Sequence, residues 1–235
     1  MSKNSKRAGR SRPVTPKPYL REKRAGPSGT QIGIASVVAI LVVAAFIWLG
    51  NTQPVTPAPI SSSMRLSGTV MGEANAPVTI EEWADFQCPA CRAFAVNTEP
   101  QLRAAYIATG KVRFIYQNFA FLGVESDWAA QAAECAAAEG RFVDYHDRLY
   151  AAQGGENSGA FSKANLKKIG VDLGLGGQFA TCVDSGAYAA KVRDSRSAGQ
   201  AKGVQATPTL FINGTKVEGM LTFDQLRTKV AQIIK

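Results

Sequence analysis

From Ile32 to Leu49 the chain runs for eighteen residues with only Gly33 and Ser36 interrupting an apolar stretch, and this run divides the chain in two. As a helix it is roughly 27 Å long at 1.5 Å per residue. With Gln31 and Gly50 at its ends, that is close to the hydrocarbon thickness of a bilayer. Trp48 stands at the outer end, where an indole suits the interface. A cleaved signal peptide has a shorter apolar region, about 7–15 residues, followed by a small-x-small cleavage site. Here Asn51-Thr52-Gln53-Pro54 follows instead. The run has no polar face, which argues against a buried core helix. The sequence therefore predicts an uncleaved, single-pass anchor over residues 31–50.

Charge sets the expected orientation. The formal net charge is +9, but residues 1–24 alone hold nine Lys/Arg and one acid, Glu22. Residues 25–64 hold none, and residues 65–235 hold 18 basic and 17 acidic side chains. By the positive-inside rule, residues 1–30 form a cytoplasmic basic tail and the C-terminal part lies outside. The tail's Ser/Lys/Arg/Pro composition predicts disorder, with anionic lipid heads within its reach. Because the remainder is nearly neutral, a phosphate-binding stripe is not implied and no nucleic-acid partner is expected. Residues 51–65, with Pro54, Pro57, Pro59 and Ser61-Ser62-Ser63, read as an extended linker.

The rest, residues 66–235, reads as one domain, and the apolar share of 46% excludes wholesale disorder. Residues 78–86 are β-branched and aromatic and predict a strand. Cys88 to about Thr109 has helical composition, with Pro89 in the first turn and a break expected at Pro100. Val112 to Tyr116 predicts a second strand. Helical patterns then fill the chain: the alanine-rich 129–138, the face Phe142, Tyr145, His146, Leu149, and the segments 162–169, 175–183 and 187–202. Strand signals return at Thr209–Ile212 and Lys216–Glu218 around Asn213-Gly214, a strong hairpin signal. Thr222 then caps a last helix. The order predicts an α/β domain with a helical insertion over about 120–202.

Four cysteines carry the chemistry: Cys88, Cys91, Cys135 and Cys182. Cys88-Pro89-Ala90-Cys91 sits where a strand meets a helix. Unpaired N–H groups and the helix dipole stabilise a thiolate there, and the thiolate is the reactive form. Cys91, one turn further in, is placed to resolve a disulfide on Cys88. Half of a structural zinc site is the competing reading, but such a site needs four ligands. There is no second Cys-x-x-Cys and His146 is the one histidine, so no metal is expected.

Strand, Asp85-Phe86-Gln87, Cys88-Pro89-Ala90-Cys91 and helix together resemble the thioredoxin superfamily in its DsbA-like branch. The segment Gly203-Val204-Gln205-Ala206-Thr207-Pro208-Thr209-Leu210-Phe211-Ile212-Asn213-Gly214 is similar to that family's cis-proline loop and following strand. The helical block, including Phe142 to Leu149, is similar to its inserted helical domain. The resemblance covers about residues 66–235 and implies a thioredoxin-like fold preceded by the N-terminal transmembrane helix. It also implies that Cys88 is the nucleophile and Cys91 the resolving cysteine. Pro208 would be cis, with Thr207 and Pro208 offering backbone to an extended substrate peptide. Glu82 matches a family acid beneath the active site that passes a proton to Cys91; the alternative is a solvated strand carboxylate. The implied activity is thiol–disulfide exchange with exported proteins, with a membrane partner that reoxidises or reduces Cys88/Cys91. No cofactor is expected. One departure stands out: the strongest oxidases of this kind have Pro-His between the cysteines, and alanine removes a donor that stabilises the thiolate.

Cys135 and Cys182 remain, 47 residues apart in predicted helices. Outside the cytoplasm an even cysteine count favours a structural disulfide over two buried thiols. His146, on an apolar helical face, reads as a hydrogen-bonded core residue. Two other functions compete with exchange. A peptide- or partner-binding module would need neither thiol. Copper delivery would need soft ligands beside Cys88 and Cys91 that the sequence does not supply.

Overall fold

The computed structural model describes residues 66–234. The expected tail, anchor and linker, residues 1–65, lie outside the described residues. Among those described, no helix is long and apolar enough to cross a membrane.

Six strands form one sheet in the order β1-β2-β4-β3-β5-β6. Strand β3 (Val78–Ala84) and β4 (Val112–Asn118) pair in parallel at the centre. A parallel pair needs a crossover, and the chain between them supplies helix α1 (Pro89–Asn97), α2 (Glu99–Leu102) and a π turn, Arg103–Ile107. The break expected at Pro100 falls at Thr98. Proline lacks only an N–H that the first turn of a helix leaves unpaired, so Pro100 belongs in the start of α2 and the interruption precedes it. The short strands β1 (Leu66–Ser67) and β2 (Val70–Met71) extend the sheet. At two residues each they are too brief to show a periodicity.

On the other side of β3, strand β5 (Thr209–Ile212) pairs antiparallel and turns into β6 (Thr215–Glu218). The turn is Asn213-Gly214, with φ of 45° and 80°, the left-handed conformations that this dipeptide accepts. Asn213 also accepts from the Thr79 backbone N–H at 2.7 Å, which ties the turn to β3.

Between β4 and β5 come five helices: α3 (Val124–Ala138), α4 (Phe142–Ala151), α5 (Lys163–Asp172), α6 (Gly177–Ser185) and α7 (Ala189–Ala201). Alanines dominate the buried surface of α3, which lets neighbouring helices approach closely. Cys135 on α3 and Cys182 on α6 are joined by a disulfide, with Cα atoms 6.0 Å apart. Helix α8 (Phe223–Ile233) closes the chain behind a capping box in which Thr222 and Gln225 satisfy each other's backbone N–H. The main core joins one face of the sheet to α1, α3 and α4, with Ile80, Phe114, Tyr116, Phe94, Phe142 and Leu149 fully buried. A smaller cluster of Trp83, Phe119, Val204 and Phe211 packs elsewhere on the domain.

Candidate active site

Strand β3 ends at Ala84 and α1 begins at Pro89, so residues 85–88 form the turn that presents the thiols. Cys88 occupies the N-cap of α1 in extended conformation, and its backbone N–H donates to the Asp85 carbonyl. Cys88 is 8% exposed and Cys91 fully buried, and both are free thiols. The Thr207–Pro208 peptide is cis, and Pro208 is buried just ahead of β5. As a thiol, Cys88 donates from Sγ to the Thr207 carbonyl at 3.3 Å. Three separate stretches of sequence, around Glu82, Cys88 and Thr207, thus meet at one place.

The environment separates the two thiols. A hydrogen bond from the Cys91 side chain, opposed by partial burial, brings Cys88 down from 9.0 to about 6; the Thr207 side chain and the N–H groups of Cys91 and Ala90 add to the effect. Thr207 Oγ1 has no other partner, so it is free to donate to a thiolate. Cys91 moves the opposite way: burial, donation to Cys88 and the nearby Glu82 and Cys88 charges push it well up. Near neutral pH, Cys88 is therefore the thiol that ionises, while Cys91 keeps its proton.

Glu82 is not the solvated carboxylate that was the alternative reading. It is fully buried on β3, and neither of its oxygens has a hydrogen-bond partner. Burial first, then the charges of Glu99 and Cys88, raise it well above the usual carboxylate range, while Arg103 opposes. A carboxyl kept protonated close to a buried thiol is chemically suited to give up that proton.

Several supporting residues escaped the sequence reading. The Asp85 carboxylate accepts from the backbone of Gln87 at 2.8 Å, from Ser126 Oγ at 2.6 Å, and from the backbone of Phe121 and Leu122 at 2.8 and 3.1 Å. The first of these is an Asx-type turn visible in the spacing; the others cross the fold. Gln153, just after α4, donates to the carbonyls of Phe86 at 2.6 Å and Cys88 at 3.1 Å. Gln87 bonds to Ser126 and accepts from the Asn157 backbone. The helical block thus grips the active-site turn from two sides.

His146 is buried, with Nδ1 2.8 Å from Asp147. Among the described residues, Glu99, His146 and Asp147 bring ligand atoms within 4.8 Å of one another. The Arg103 guanidinium already pairs with both carboxylates, at 2.7 and 2.5 Å, which disfavours a metal ion there.

Two thiols of opposite tendency at a strand–helix junction, facing a cis-proline loop, define a thioredoxin-fold protein built for thiol–disulfide exchange. A family model described as Thioredoxin matches residues 65–232, and the chain belongs to that family. A "Probable disulfide bond formation protein D" of Bacillus anthracis is 31% identical over 175 residues, which is 70% of this chain and 77% of the relative. The crystal structure of oxidised BdbD from Bacillus subtilis superposes with a TM-score of 0.65 at 26% identity, covering 72% of this chain and 97% of that one. Reduced DsbA from Mycobacterium tuberculosis gives 0.61 at 28% identity, covering 74% of this chain and 89% of that one. The protein is a DsbA-like thiol–disulfide oxidoreductase.

Proposed function

We propose that the protein exchanges disulfides with exported proteins outside the cytoplasm, through Cys88-Pro89-Ala90-Cys91, while residues 31–50 hold it to the membrane. The observation that carries this reading is the opposite tuning of two thiols at one helix start, beneath the Thr207–Pro208 loop. In the oxidised enzyme, a substrate thiolate attacks Cys88 Sγ. The Cys88–Cys91 bond breaks, its electron pair passes to Cys91, and Glu82 supplies the proton that makes Cys91 a thiol. A second substrate thiolate then attacks the substrate sulfur of the mixed disulfide, and Cys88 leaves as a thiolate. Thr207 and Pro208 hold the substrate backbone in extended form beside Cys88. A membrane partner returns the pair to the disulfide, or reduces it if the protein works in the reductive direction.

The test is trapping in cells. In Cys91→Ser the resolving thiol is gone, so exported proteins should accumulate as mixed disulfides on Cys88, and Cys88→Ser should abolish them. Insulin reduction by the purified protein should depend on Cys88 in the same way. Absence of adducts in Cys91→Ser, together with no insulin reduction, would leave a peptide-binding module as the function.

A further inference from the structure

Beneath the thiols, four aromatic rings surround the chain's one histidine. The centroids of Tyr150, Tyr116, Phe142 and Phe86 lie 4.9, 5.2, 5.5 and 5.9 Å from that of His146. Burial would raise the Asp147 carboxyl, but hydrogen bonds from Arg103 and His146 override it and bring it to about 2. Asp147 therefore only accepts, and His146 Nδ1 must carry a proton toward it. On the other side of the ring, Nε2 faces Glu99 Oε2 at 3.5 Å. Both atoms are buried and neither has another partner. Glu99 Oε1 is already occupied by two N–H groups of Arg103, at 2.9 and 2.7 Å. Two buried acceptors facing each other across such a gap repel unless a proton lies between them.

We infer that Glu99 and His146 share one bound proton, that this proton makes Glu99, Arg103, His146 and Asp147 a charge-neutral quartet, and that the quartet sets how tightly Glu82 holds its own proton. The neutrality holds whichever heavy atom carries the shared proton. The inference rests on the reading of Glu82 as the proton donor to Cys91. Glu82 and Tyr116 are register partners on adjacent strands, so their side chains leave the same face of the sheet. The Tyr116 ring in turn packs on His146. The groups that act on Glu82 are Glu99, Cys88 and Arg103, with Cys91 and the Tyr116 and Tyr150 hydroxyls also within its field. When Glu82 gives its proton to Cys91 it becomes a buried carboxylate. Beside a neutral quartet that charge meets no net repulsion. Beside a quartet stripped of its proton it meets a net negative charge, and Glu82 keeps its proton. His146 and Glu99 are thus positioning residues that act through Glu82.

The experiment uses the full chain, with reduced glutathione opening the oxidised protein as a function of pH and rates expressed per glutathione thiolate. In the wild type the rate should fall on an alkaline limb as Glu82 loses its proton. His146→Gln leaves Arg103 facing two carboxylates, so the limb should move up by about one pH unit, a tenfold gain in Glu82 proton affinity. The double variant His146→Gln/Glu99→Gln is again neutral and should bring the limb back. A merely structural role would make the double variant worse than the single one, and that result would overturn the coupling to Glu82. Nitrogen-15 shifts of the single histidine ring test the proton itself and need no turnover. A bare, unbonded Nε2 at neutral pH would overturn the inference even if every variant were active. If no variant reacts with glutathione, the exchange function fails, while the ring signals still decide whether the proton is there.

Discussion

At Cys88 the causes of ionisation are ranked, and the ranking is testable. Alkylation of the reduced protein should follow a titration with its midpoint near 6, and Cys88 should label before Cys91. The Cys91 hydrogen bond is the largest contribution, so Cys91→Ala should raise the midpoint more than Thr207→Val does. The reverse order would show that the cis-proline loop governs the thiolate. The sign of the linkage follows. The folded value lies below the unfolded one, so Cys88 stabilises the reduced fold fully above about 9 and loses that contribution as pH falls through about 6. Urea midpoints of the reduced protein should rise across this window by a component that the oxidised protein lacks. Ala90 stands where the strongest oxidases carry a histidine, so the reduction potential should lie nearer about −180 mV than about −120 mV.

At the scale of elements, two local features have opposite origins. The Thr222 capping box is written in the sequence, and Thr222→Ala should cost about 1 kcal/mol by leaving N–H groups of α8 unpaired. Gly199 in α7 invites the opposite expectation, because alanine is the better helix former by about 1 kcal/mol. A Cβ there would lie 2.6 Å from the Phe119 ring and 2.7 Å from Trp83, inside the smaller apolar cluster. Overpacking costs typically about 1–3 kcal/mol, so contact outweighs propensity and Gly199→Ala should be destabilising. Thermal unfolding of both variants decides, and a stabilised Gly199→Ala would show that α7 can shift away. The turn at Asn213-Gly214 and the start of α1 at Pro89 were readable from residue types alone. The paired strands β1 and β2 were not, because each is set by its partners and too short to have a pattern.

Across the whole domain, the Cys135–Cys182 disulfide joins two helices 47 residues apart in sequence. Closing such a loop stabilises by about 4 kcal/mol at most in the chain-entropy model. The double variant Cys135→Ser/Cys182→Ser should therefore unfold at markedly lower denaturant, yet still alkylate Cys88 with the same pH midpoint, since neither residue touches the thiol pair. Loss of the Cys88 midpoint in that variant would tie the two disulfides into one unit. The anchor proposed for residues 31–50 predicts that protease added to cells stripped of any wall digests the domain and spares residues 1–30. A released form lacking residues 1–50 would refute it.

The chain itself determined the parts that depend on neighbours in sequence. The strand running into Cys88-Pro89-Ala90-Cys91, the proline that suits a first helical turn, the hairpin dipeptide and the alanine-rich helix all follow from local geometry and propensity. The positions of the two thiols follow too, because the helix start and the spacing place them. Only the tertiary structure decided what surrounds them. Glu82 could equally have been a solvated strand carboxylate until β4, β5 and the helices buried it without a partner. Gln153 and Asn157 carry no signal of their grip on the active-site turn, since their partners lie far away in sequence, and of the Asp85 contacts only the local one to Gln87 could be read from spacing. The same holds for His146, whose chemistry depends on Glu99 and Arg103 from a different part of the chain. Burial and long-range electrostatics arise only when distant segments pack, and a pattern of residue types along one chain does not encode the distances that set them.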